Sequence, residues 1–94
     1  MDLNFLRQKI DGIDDELVKL FQQRMDVSAE IARYKQQHQL PVFDPEREKQ
    51  KLRGISGKVT KDYKDYVSAL YALIMELSRA EQERLLHPAS APEN

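Results

Sequence analysis

Apolar side chains recur at Leu6, Ile10, Ile13, Leu17, Leu20, Val27 and Ile31, spaced alternately by four and three residues, and Arg24 takes the one position of the series that is not apolar. This is the heptad seam of a long amphipathic helix. Phe21 widens the stripe, Asp2 or Asn4 is available as N-cap, and no proline precedes Pro41, so the pattern predicts one helix from about Leu3 to about His38. Gly12 lowers helical propensity inside it without stopping it. Leu40-Pro41-Val42-Phe43 reads as a short extended connector, because a residue before proline disfavours the helical region. Asp44-Pro45-Glu46 restarts a helix: Asp caps, Pro fits the first helical position, and the acidic residue faces the positive end of the dipole. That helix is short and polar and ends by Gly54 or Gly57. Thr60 is expected to cap a third helix, whose apolar face is Tyr63, Tyr66 or Val67, Leu70, Leu73 or Ile74, Leu77 and Leu85, with its end near Leu86. Residues 87–94 have linker composition and are expected to be a disordered tail. With no strand-like alternation and no internal repeat, the expected fold is all-α, with one long, one short and one medium helix in a domain spanning residues 1–86.

The length of the first helix sets a second expectation. A globule of 94 residues has a radius of gyration of about 12 Å and a diameter of roughly 30 Å, whereas a helix of about 35 residues is about 50 Å long. The helix must overhang its own core, and an overhanging apolar seam needs a second chain to cover it. An obligate two-fold homodimer is therefore expected.

Composition narrows the functional classes. The longest apolar run, Ala69 to Met75, is too short to span a bilayer, and the N-terminus has neither the basic start nor the apolar stretch of a signal peptide, so a cytoplasmic protein without a membrane partner is expected. There is no cysteine, hence no disulfide framework and no thiolate nucleophile. A net charge of −1 provides no global basic field for nucleic acid. Any anion site must be local.

Arg24 is the candidate for such a site, since a buried arginine costs several kcal/mol unless it is paired. Lys35 lies three helical turns further on and returns to within about 20° of the same face, which Ser28 shares. Two cations directed at a helical core indicate a pocket for a small carboxylate, which arginine grips through two parallel hydrogen bonds. Arg7 lies about 25 Å from Arg24 on the same helix and cannot serve the same ligand in cis; an antiparallel dimer can bring the partner's Arg7 there. The alternative is that these cations snorkel to solvent or pair with Glu48, Asp44 or Glu16, and spacing alone does not choose. His38 and His87 read as surface residues near helix ends, and no metal site is expected. Met25 and Met75 read as core filler, Tyr63, Tyr66 and Tyr71 as packing with a wet hydroxyl, and Glu46 to Arg53 as mainly a solvated helix face.

Taken together, Arg7-x-x-Ile10-Asp11-x-Ile13-Asp14-x-x-Leu17-x-x-Leu20-x-x-x-Arg24, Ile31-x-x-x-Lys35, Pro41-Val42-x-Asp44-Pro45-Glu46-Arg47-Glu48 and Ile74-x-x-x-Ser78-x-x-x-Gln82 resemble, in this order on three helices, the all-helical class of chorismate mutases. The resemblance runs from Leu6 to about Leu86. It departs in the compact segment from Arg53 to Lys61, which carries two glycines, and in the apolar Leu77 before Ser78.

The resemblance implies an intertwined dimer with two active sites that rearranges chorismate to prephenate on the route to phenylalanine and tyrosine, without cofactor. It implies that Arg24 and the partner's Arg7 hold the two substrate carboxylates, that Lys35 and Gln82 donate to the ether oxygen, and that Glu48 accepts from the ring hydroxyl. Arg47 and the backbone at Asp44 would help on that side, Ser78 would contact a carboxylate, and Ile31, Ile74 and Met75 would form apolar walls. Such a pericyclic reaction needs a dicarboxylate held in a chair-like shape and donors aimed at the oxygen where charge grows. Because Gln82 is an amide, its donor requires no proton uptake, and a flat rate profile around neutral pH is expected. Rival expectations are an isochorismate-pyruvate lyase or aminodeoxychorismate mutase on the same fold, or a non-catalytic helical dimerisation or regulatory module. Whether the chain stands alone or is cut from a bifunctional protein with prephenate dehydratase stays open.

Overall fold

Helix α1 runs over Leu3–Gln37 in the computed structural model, which describes residues 2–88. Of the two N-cap candidates, Asp2 is the one used: its carboxylate accepts the Phe5 N–H at 2.8 Å, satisfying a donor that the helix itself leaves unpaired. The other end is closed by a left-handed residue. Gln39 has φ 55°, its N–H donates to the Gln36 carbonyl at 3.3 Å, and the Leu40 N–H reaches back to the Lys35 carbonyl at 2.8 Å. This is the Schellman pattern with glutamine in the position glycine usually fills. It reverses the chain at Lys35 and sends the Pro41–Phe43 connector back across that side chain.

Helix α2 is Pro45–Ser56, with the Asp44 carboxylate accepting the Arg47 N–H at 3.1 Å and Pro45 in the first turn. Gly54 lies inside it and Gly57 is its C-cap, so of the two proposed stops the later one holds. Helix α3, Lys64–Leu86, is entered through a single 3₁₀ turn, Lys61–Tyr63. The expected Thr60 cap is corrected in its detail: the Thr60 side chain makes no capping hydrogen bond, and its carbonyl instead accepts the Tyr63 N–H at 3.0 Å. The tighter turn absorbs the groups that a side-chain cap would have served. Among the described residues the fold is all-helical. The tail expected at 87–94 lies outside them from residue 89 onward.

Helix α3 is the common partner. It packs against both α1 and α2, while α1 and α2 do not pack on each other, so a cleft stays open between them. Where α1 crosses α3 the chain buries Ala32, Met75, Ser28 and Gln82. Two of these four are polar, and the buried centre of the chain is therefore also the wall of its cleft. On α3 the inward face is Val67, Tyr71, Ile74 and Met75, Ser78 and Arg79, and Gln82. Of the expected apolar face, Val67, Ile74 and Leu85 are half-buried as expected, and the rest is corrected. Leu70, Leu73 and Leu77 are exposed, as are Tyr63 and Tyr66, because α3 turns its Met75 and Gln82 side toward α1 and leaves the leucine stripe outside.

The overhang of α1 is real. The molecule measures 54 × 34 × 21 Å, with a radius of gyration of 16.8 Å against about 12 Å for a compact chain of this length. Every described residue before Arg24 is exposed, including Leu6, Ile10, Ile13, Leu17 and Leu20. The accessible surface is 7932 Å², where a compact monomer of this mass has about 5,600 Å². No described helix is long and apolar enough to cross a membrane.

The Gln39 turn yields a stability prediction of unusual sign. A left-handed glutamine pays a steric cost that glycine avoids, so Gln39→Gly is expected to raise unfolding free energy by about 0.5–1 kcal/mol, read from the urea midpoint. A lower midpoint would show that the left-handed geometry is not what limits this turn.

Candidate active site

The cleft between the three helices has a cavity volume of about 480 Å³, within the range of small-molecule sites. Helix α1 contributes Arg24, Ser28 and Lys35 on one stripe, together with Val27 and Ile31, as their helical spacing requires. Helix α2 presents Arg47, Glu48 and Lys51, and α3 presents Met75, Ser78, Arg79 and Gln82. The connector adds Val42, and Asp44 sits at the entrance of α2.

A chain of hydrogen bonds lines the floor. Lys35 Nζ donates to the Val42 carbonyl at 2.6 Å and to Gln82 Oε1 at 3.2 Å. Gln82 Nε2 donates to Ser28 Oγ at 3.0 Å, and the Ser28 and Ser78 hydroxyls are hydrogen-bonded to each other. An ammonium only donates, so the Gln82 amide has its oxygen toward Lys35 and its nitrogen toward Ser28. Lys35 has three N–H groups and spends two; Gln82 has two and spends one. One donor remains on each, and both residues line the cavity. No buried side-chain nitrogen or oxygen among the described residues lacks a partner.

The charges do not balance. Five cations line the cavity against two carboxylates, Asp44 and Glu48, and one of each is removed because Arg79 pairs with Glu48. The alternative in which the α1 cations are matched by nearby acids is not what the chain does. Glu16 pairs with Lys19 at 3.6 Å, Glu48 with Arg79, and Lys35 meets only neutral carbonyl oxygens. Arg24, Lys35, Arg47 and Lys51 are left facing a single carboxylate in a chain whose net charge is −1. Like charges held together in a partly desolvated cleft repel, and an anion bound among them relieves that repulsion. Outside the cavity, hydrogen bonds from Arg84 hold the Glu81 carboxyl below its ordinary range and raise the guanidinium in return.

Of the residues singled out from the sequence, Arg24, Ile31, Lys35, Asp44, Arg47, Glu48, Met75, Ser78 and Gln82 converge on this cavity. Arg7 and Ile74 do not line it. Arg7 is exposed on the overhanging half of α1, and Ile74 lies one residue, about 100°, away from Met75 on α3. Lys51 and Arg79 went unnoticed. Lys51 follows Glu48 by three and Arg47 by four, a spacing that places it on their face. Arg79 meets its partner across 31 residues of sequence, and no local pattern signals that.

The cleft is thus helical, rich in cations and walled on its sides by the apolar Val27, Ile31 and Met75. Comparison with known proteins gives the family: residues 6–83 match the chorismate mutase type II family, and the chain belongs to it. It is 35% identical over 86 residues to the bifunctional chorismate mutase/prephenate dehydratase of Buchnera aphidicola subsp. Acyrthosiphon pisum, covering 89% of this chain and 22% of that protein. It is 32% identical over 83 residues to the protein of the same description from Escherichia coli K12, covering 86% and 22%. A chorismate mutase of Methanocaldococcus jannaschii is 43% identical over 44 residues, 47% of this chain and 44% of that protein. The chain thus spans about a fifth of the length of the bifunctional relatives. No solved structure matches it.

The floor predicts its own dependence on Ser28. Ser28→Ala removes the acceptor of a buried amide N–H, and the expected loss is about 1–3 kcal/mol of unfolding free energy, measured by denaturant titration. A variant as stable as the parent would mean that Gln82 finds a second acceptor.

Proposed function

We propose that this chain is a chorismate mutase that converts chorismate to prephenate in aromatic amino acid biosynthesis, and that it works as a homodimer. The observation that carries the proposal is the pair of unspent donors on Lys35 and Gln82 beside unopposed Arg24. The substrate carries two carboxylates, an ether oxygen and a ring hydroxyl. Arg24 holds one carboxylate and the partner's Arg7 the other, with Ser78 contacting a carboxylate. Lys35 and Gln82 donate to the ether oxygen, Glu48 accepts from the ring hydroxyl, and Arg47 and the Asp44 backbone lie on that side. Ile31 and Met75 with Val27 supply apolar walls.

The rearrangement breaks the C–O bond and forms a C–C bond within one molecule, so no acid, base or nucleophile is consumed. Holding the flexible dicarboxylate in its reactive shape removes much of the entropic barrier. Negative charge grows on the ether oxygen as its bond to carbon lengthens. A fixed ammonium and amide stabilise that charge more in the transition state than in the ground state. The reaction needs no metal or cofactor, and the cytoplasm is the compartment proposed for this small water-soluble substrate.

Three observations support the dimer: the uncovered heptad seam of α1, the exposed leucine stripe of α3, and the surface in excess of a compact monomer. Burying such stripes contributes about 25 cal/mol per Å². A two-fold arrangement also returns Arg7 to a cavity that it cannot reach in its own chain. Residues 1–86 form the proposed catalytic domain.

Chorismate absorbance is expected to fall on addition of the purified protein, with prephenate as product. Arg24→Ala and Lys35→Ala are each expected to lower kcat/KM by about 100-fold or more, the scale of a lost charge-assisted contact or oxyanion donor. Turnover of isochorismate or aminodeoxychorismate in place of chorismate would move the assignment to a relative of this fold, and no turnover of any of them would move it to a non-catalytic module. The shared site has its own test. Arg7→Ala and Arg24→Ala chains, each nearly inactive, are expected to recover about a quarter of parental activity when refolded together, because half of the random dimers then contain one intact site. Absence of complementation would place Arg7 outside the site.

A further inference from the structure

Glu48 lines the cavity together with Arg24, Lys35, Arg47 and Lys51, yet it pairs with none of these four. Its two carboxylate oxygens are both taken by Nη1 of Arg79, across from it on α3. The Arg79 guanidinium in turn lies over the Phe43 ring of the connector, 5.0 Å from the ring centroid. The pair is largely enclosed, with side-chain exposures of 33% for Arg79 and 22% for Glu48. Connector, α2 and α3 thus meet at one guanidinium held on its face by an aromatic ring and at its edge by a carboxylate, an arrangement that limits the freedom of both charged side chains.

We propose that Arg79 is a positioning residue for the mutase reaction, acting through Glu48; the inference rests on the function proposed above. Arg79 has two effects on Glu48. It fixes the direction of the carboxylate, whose remaining lone pairs stay available to a ring hydroxyl. It also keeps that carboxylate off Arg47, Lys51 and Lys35, which line the same cavity. Without Arg79 the opposite charges left around Glu48 in the cavity are those cations, and an internal ion pair there takes both the carboxylate and the cations away from the substrate groups they serve. Arg79 therefore sets how much of the cation excess is free for substrate. The consequence falls on substrate binding more than on the chemical step, because the Lys35 and Gln82 donors do not touch Arg79.

The test is a kinetic cycle in the full chain. Arg79→Met is expected to lower kcat/KM for chorismate by about 10- to 100-fold, the value of a hydrogen bond to a charged group, carried mainly by a higher KM. Since one nitrogen spans both carboxylate oxygens, Arg79→Lys is expected to restore most of the loss. In a Glu48→Gln background, where no carboxylate is present to stray, Arg79→Met is expected to change kcat/KM less than twofold, a strongly non-additive cycle. Melting temperatures of all five proteins, parent included, report any simple tethering of α2 to α3. An Arg79→Met loss that persists in full with Glu48→Gln, a lysine that fails to rescue, or a loss confined to kcat overturns the positioning role. Parental protein that leaves chorismate untouched overturns instead the function on which this role rests.

Discussion

The register in which α1 crosses α3 is set by a buried polar chain, and the site follows from it. Ser28 and Gln82 are as deeply buried as the apolar Ala32 and Met75 beside them. A buried polar group left unpaired costs about 1–3 kcal/mol, so the crossing is stable only where Ser28 meets Ser78 and Gln82 and where Lys35 meets Gln82. Moving one helix by a single residue rotates its side chains by about 100° and breaks every link. An apolar crossing tolerates sliding and repacking; this one has a single satisfied arrangement. The same register leaves one N–H unspent on Lys35 and one on Gln82, both in the cavity wall, so the residues that hold the helices together also line the site.

The Gln39 turn serves the same end. By reversing the chain immediately after Lys35, it returns the Val42 carbonyl to the Lys35 ammonium, which pins a flexible four-carbon side chain that otherwise carries about 2 kcal/mol of rotamer entropy. A donor fixed before substrate arrives loses less on reaction, which is the physical content of preorganisation. Asp44 acts similarly for α2, whose first turn carries Arg47 and Glu48 into the cleft behind a capped end.

Charge and packing are both incomplete in the isolated chain, and in complementary ways. Four cations face one carboxylate in the cavity, while apolar stripes on α1 and α3 face water. A small anion corrects the first imbalance and a second copy of the chain, as proposed, corrects the second. Stability and function are then coupled through one element, since α1 carries the uncovered seam in its first half and the cationic stripe in its second.

The sequence by itself determined the helices, because capping, proline restriction and the 3.6-residue period are local: α1 and α3 begin and end within a few residues of their expected positions, and the Arg24 anomaly marks where α1 turns from apolar to cationic. Spacing along α1 marked Arg24, Ser28 and Lys35 as sharing a face, while Ile31, Asp44, Arg47, Glu48, Met75, Ser78 and Gln82, which gather in the same cavity, were marked by the family resemblance. What the sequence left open depended on contacts distant along the chain. Thr60 gave way to a 3₁₀ turn, a glutamine filled the left-handed position, and the Leu70, Leu73 and Leu77 stripe faced out because the polar Ser28, Ser78 and Gln82 set claimed the crossing. The Arg79 to Glu48 pair has no sequence signature at all. Periodicity specifies a face, but only tertiary packing decides what that face meets, because a buried polar group needs a partner from a distant part of the chain.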